Sequence, residues 1–136
     1  MITTAEHPTD PNPRRRWAAT APALDWTEHG PTEQVAVFRL RERAALKLLA
    51  VRSQLRALAE AVEDDAREDR LFVRIIGGTV RVMMRQADGE TFGQWGEGRS
   101  LYHAINDLFT RLDSQLPALL CVAGNVVPAP ATEPAP

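Results

Sequence analysis

Ser100, His103 and Asp107 stand at spacings of three and four, so a hydroxyl, an imidazole and a carboxylate can share one helix face. An enzyme needs such a nucleophile and base to converge in a shaped pocket. Each residue here already has a simpler role: Ser100 is a good N-cap, and His103 with Asp107 is an ordinary i,i+4 pair. Cys121 is the one cysteine and sits in an apolar run, where a thiol is expected as inert packing. His7 and His29 have no Cys or His at metal-ligand spacing. Glu60, Glu63, Asp64, Asp65, Glu68 and Asp69 crowd one segment, but without the glycine turn and alternating oxygens of a calcium loop. Gly96-Glu97-Gly98-Arg99-Ser100 precedes a helix, where amides bind anions, yet no Lys-Ser or Lys-Thr follows as a phosphate loop requires. The reading is a non-enzyme with no metal or cofactor.

The surface that remains is set by the stretch from Leu71 to Trp95. Gly77-Gly78 between two β-rich runs marks a two-residue hairpin. It pairs Ile75 with Val80, Val73 with Val82 and Leu71 with Met84 on a face that should meet the core. The opposite face pairs Ile76 with Thr79, Arg74 with Arg81 and Phe72 with Met83. Asp88-Gly89 offers a second tight turn, which would set Val82 against Trp95 and Met84 against Gly93. It would also place Arg85 against Phe92. The outer face thus carries Phe72, Arg74, Ile76, Arg81, Met83, Arg85 and Phe92. It is more apolar than a bare sheet face should be, and more basic than a core. Arg74 opposite Arg81 is a like-charge pair, so either an anionic group of this chain, of a partner or of a phosphate offsets it, or both guanidinium groups splay into water over their own apolar stems.

Two helices must position this meander. Thr32 is a plausible N-cap for a long helix from about Glu33 to Asp65. Ala44, Leu48, Val51, Leu55, Leu58 and Val62 continue a heptad stripe begun at Val37 and broken only by Arg41. A helix approaching about 50 Å at 1.5 Å per residue outruns three short strands. Self-association along the stripe, as an antiparallel homodimer, would bury the overhang; the alternative is that the chain's own sheet and second helix cover it. Basic residues from Arg39 to Arg56 and the acidic end suit the antiparallel arrangement. Ser100 opens the second helix, with Leu101, Ile105, Leu108, Leu112 and Leu116 on one face, and Pro117 closes it. Ala118 to Val122, with Val126-Val127, should form a short strand or a closing segment.

The 136 residues carry a formal charge of −2, which does not suit a strongly basic nucleic-acid binder. The N-terminal stretch lacks the apolar segment of a signal peptide, and no apolar run spans a membrane. With one cysteine and no disulfide, the expected compartment is cytoplasmic. Residues 1–32 read as a flexible Pro-rich arm, 33–127 as a single α+β domain, and 128–136 as a disordered Pro/Ala tail. The fold class is α+β, in the order α-β-β-β-α with flexible termini.

The order of helix, strands and helix, with FGQWGEGRSLYHAINDLFTRL at its end, resembles a double-stranded-RNA-binding domain over roughly Leu71 to Leu112. That family places lysines in the first turn of the last helix; here those positions are Leu101, Tyr102 and His103. The resemblance implies shared architecture rather than RNA binding. The expected function is a non-enzymatic protein-interaction module, a homodimer that binds and modulates a partner in a bacterial or phage setting, for example as an inhibitor. The competing expectation is nucleic-acid binding through Arg14, Arg15, Arg16, Arg74, Arg81 and Arg85.

Overall fold

A computed structural model describes residues 1–63, 71–85 and 91–126. The described chain runs β1 (Thr3–Glu6), a 3-10 turn (Pro13–Arg15), β2 (Trp17–Ala21), β3 (Trp26–Gly30) and α1 (Glu33–Glu63). It continues with β4 (Leu71–Ile76), β5 (Thr79–Arg85), β6 (Thr91–Gly98), α2 (Leu101–Asp113) and α3 (Leu116–Ala123). The class is α+β, but the order is not the expected α-β-β-β-α. There are two antiparallel three-stranded sheets, β1-β2-β3 and β4-β5-β6, and a third helix. Two compact units result. One contains residues 1–49 and the described residues 117–126; the other spans Ala50–Leu116.

The first sheet replaces the irregular arm expected over residues 1–32. The prolines that suggested disorder all fall outside the strands: 8, 11 and 13 between β1 and β2, 22 between β2 and β3, and 31 between β3 and α1. Ala18, Ala19 and Ala21 are buried, and Thr20 meets Thr27 across the ladder at 3.1 Å between hydroxyls. Thr32 caps α1 as expected, its hydroxyl accepting the Val35 amide at 3.2 Å. Gly30 ends β3 so close to the helix start that a Cβ there would stand 2.7 Å from the Ala36 nitrogen.

α2 ends at Asp113, so Leu116 opens α3 and does not continue α2, and residues 116–123 are helical rather than extended. Pro117 is the second residue of α3, where the first turn tolerates a missing N–H. Gly124 follows with φ 58°, the left-handed residue that ends a helix. Arg41, the residue that interrupts the heptad stripe, donates from Nη1 to the Val122 carbonyl at 3.2 Å. A cation thus sits at the negative end of α3. Cys121 points outward and is exposed, so it is not the packed thiol expected from its apolar neighbours.

The second unit holds the meander. Gly77 and Gly78 adopt φ of 57° and 82°, the two positive values of a type I′ turn. The first hairpin has the expected register from Leu71↔Met84 to Ile76↔Thr79. The second does not. Val82 pairs with Gly96 and Met83 with Trp95, then the register shifts before Arg85↔Thr91. The expected Asp88-Gly89 turn lies outside the described residues, as do Asp64, Asp65, Glu68 and Asp69.

Close packing of α2 explains the altered register. A Cβ at Gly96 would overlap the Ala104 carbonyl oxygen and the Leu108 backbone, and one at Gly98 would stand 2.7 Å from the Ala104 nitrogen. Gly96 and Gly98 therefore belong to β6 and face α2, and do not form a loop ahead of the helix. Ala104, Leu108 and Leu112 are buried on that side, with Val82 and Met84 beneath. α2 lies over β6 and β5. The β4 part of the intended core face stays open: Val73 is 44% and Ile75 75% exposed.

Candidate functional site

Gly96 faces α2, so its neighbour Trp95 turns to the outer face, the side away from Gly96, Val82 and Met84. Alternation along three strands then lines up Phe72, Arg74 and Ile76 of β4 with Thr79, Arg81 and Met83 of β5. Trp95 and Glu97 of β6 complete the row. The sequence reading missed these two. The signal for them was the pair of glycines two residues apart, a spacing that places both on one strand face, where a helix can lie close.

Arg81 is the centre of this face. Its Nε donates to Glu97 Oε1 at 2.9 Å, and Nη2 reaches the same oxygen. Its guanidinium lies 5.1 Å from the Trp95 ring centroid, and the Trp95 indole N–H donates to Glu97 Oε1 at 3.2 Å. Glu97 is thus the anionic group that offsets the Arg74–Arg81 juxtaposition. Arg74 is exposed and makes no ion pair with any described residue. Ile76, Thr79, Arg81 and Glu97 line an open depression of about 200 Å³ at the hairpin end. Ile76 is 52% exposed, while Phe72, Met83 and Trp95 are half-buried. The side chains of Arg85 and Phe92 lie outside the described residues.

A second tier anchors the row to α2. The Glu97 amide donates to Asp107 Oδ2 at 2.8 Å, and Arg111 Nε meets the same carboxylate oxygen at 2.9 Å. Arg111 also approaches the Trp95 ring, 6.0 Å from its centroid. Asp107 is therefore spent on the strand edge and on Arg111. His103 is exposed and bonds Ser100 at 2.6 Å between Nδ1 and Oγ, while Ser100 Oγ accepts the His103 amide at 3.2 Å. Ser100 is the helix cap its position suggested.

The stripe proposed for a dimer helix is largely occupied by the chain itself. Ala44, Leu48, Val51 and Leu58 are buried, Leu55 is half-buried, and Val62 is 47% exposed. Arg14, Arg15 and Arg16 are exposed at the 3-10 turn, in the other unit from Arg74 and Arg81. Among the described residues no group of three or more His, Cys, Asp and Glu could hold a metal ion, and no helix is long and apolar enough to cross a membrane. No protein-family model, no curated protein and no solved structure matches the chain. What the fold and site define is an α+β chain with an organised, partly apolar sheet face.

Proposed function

We propose that this chain is a non-enzymatic protein-binding module whose working surface is the outer face of the β4-β5-β6 sheet, and that it modulates the partner it binds there. One observation carries the reading: Arg81, Trp95 and Glu97 form a fixed, internally neutralised cluster beside Met83 and the exposed Ile76. Aromatic residues, Met and Arg are the types enriched at the cores of protein interfaces. Glu97 already offsets the charge of Arg81, which weakens its pull on a phosphate and favours a protein over a nucleic acid at this cluster. The flat aromatic flank and pre-set guanidinium lower the ordering cost of docking.

Salt and substitution test the reading together. Binding of a captured partner should survive high ionic strength, since phosphate contacts alone would make affinity fall steeply with salt. Met83→Glu should abolish capture while the circular dichroism spectrum stays native. Arg74→Ser with Arg81→Ser should only weaken it. Purified protein that carries nucleic acid, released by salt and lost in the Arg74/Arg81 double variant, would overturn the proposal.

A further inference from the structure

The two edges of the β4-β5-β6 sheet are treated differently. β6 runs beside α2, and the Glu97 amide on its outer edge is taken by Asp107. β4 has no such guard among the described residues. It carries no proline or bulge, and its one charge, Arg74, stands on the outer face and not among the residues whose backbone groups meet the open edge.

The hairpin turn dictates which β4 groups are open. A β-turn closes on the bond between the carbonyl of its first residue and the N–H of its fourth, here Ile76 and Thr79. Hydrogen-bonded and non-bonded pairs alternate along an antiparallel ladder. The backbone groups of Ile76, Arg74 and Phe72 therefore point to β5, and those of Leu71, Val73 and Ile75 point to the open edge. The same alternation, carried through Arg81 to β6, sends the Glu97 amide outward, which is where Asp107 meets it. The open groups of β4 thus belong to apolar residues on one face, and two of them, Val73 and Ile75, are substantially exposed.

We propose that β4 pairs antiparallel with β4 of a second copy of this chain, with Val73 opposite Val73, so that the two sheets become one. Antiparallel self-pairing has two-fold symmetry, and facing side chains share a side only when the axis passes through a residue facing itself. For Leu71–Ile76 the central choices are Val73 and Arg74. An axis at Arg74 would place two guanidinium groups directly opposite, flanked on both sides by Arg81, and like charges across a pair repel. An axis at Val73 sets Leu71 against Ile75 of the second copy and moves each Arg74 across from Phe72. The outward backbone groups of Leu71, Val73 and Ile75 then meet their counterparts, and the open apolar strip is covered. Charge selects the register.

This inference names a second copy and leaves the outer face to the partner proposed above, so the two fail separately. The full chain should sediment as a dimer across a concentration series. Val73→Lys puts like charges on the axis at a half-exposed edge position and should raise the dimer dissociation constant at least about tenfold. The same variant should keep its fold and its outer-face binding. In a Cys121→Ser background, Val73→Cys should form a disulfide-linked dimer under mild oxidation, because hydrogen-bonded partners lie about 5.5 Å apart at Cα. Ile75→Cys should not, since its symmetry mate is about 14 Å away at 3.4 Å per residue. A monomeric wild-type chain, a dimer indifferent to Val73→Lys, or faster cross-linking of Ile75→Cys than Val73→Cys would each overturn the proposal. Loss of Met83-dependent capture with the dimer intact would count against the partner surface alone.

Discussion

The Glu97 amide donates to the Asp107 carboxylate at 2.8 Å, tying the outer edge of β6 to the helix that follows it. One carboxylate oxygen accepts both this amide and Arg111. An amide that would otherwise invite another strand is closed, and Glu97 is held where its side chain can grip Arg81.

Replacing Asp107 tests that link. Asp107→Ala should cost about 1.5 kcal/mol in chemical denaturation, the order expected for a charge-assisted hydrogen bond at a half-exposed site. Asp107→Asn keeps an acceptor and should cost less. Amide exchange at Glu97 should quicken in the alanine variant.

Gly96 and Gly78 make a paired test of why glycine is present. At Gly96 a methyl group meets the backbone of α2, so Gly96→Ala should destabilise by about 2–3 kcal/mol in thermal melts. At Gly78 nothing lies within 4 Å of a Cβ, and only the φ of 82° resists substitution. Gly78→Ala should therefore cost about 1–2 kcal/mol.

Arg41 supports the end of α3. Arg41→Met keeps the apolar stem but removes the donor to the Val122 carbonyl. It should lower stability by about 1 kcal/mol, with the loss of hydrogen-exchange protection concentrated in the last turn of α3.

Cys121 offers a simple check on the first unit. Its thiol is exposed in the native chain. A thiol-reactive dye should label the folded protein to one equivalent, the number of cysteines in the sequence, without denaturant. Labelling that needs unfolding would place the thiol inside.

Local chemistry was legible wherever a residue's role is decided by its near neighbours. Thr32 and Ser100 cap their helices because a side-chain oxygen can reach an amide three residues on, and Gly77-Gly78 sets the first hairpin because only glycine bears two positive φ values cheaply. The row Phe72, Arg74, Ile76 opposite Met83, Arg81, Thr79 follows from that turn and from period-two alternation. Other features depended on residues distant in sequence. Alanine-rich β2 has little strand preference of its own and becomes a strand through ladders to β1 and β3. Gly96 and Gly98 look like a hinge until α2 lies against them, and that packing is what turns Trp95 to the outer face. The residues from Ala118 to Val122 are apolar enough for a strand or a helix; their helix ends at Gly124 with Arg41, far away in the chain, on the Val122 carbonyl. The sequence alone determined caps, turns and alternation. Only the tertiary structure decided which face each strand presents, because that depends on which helix covers it.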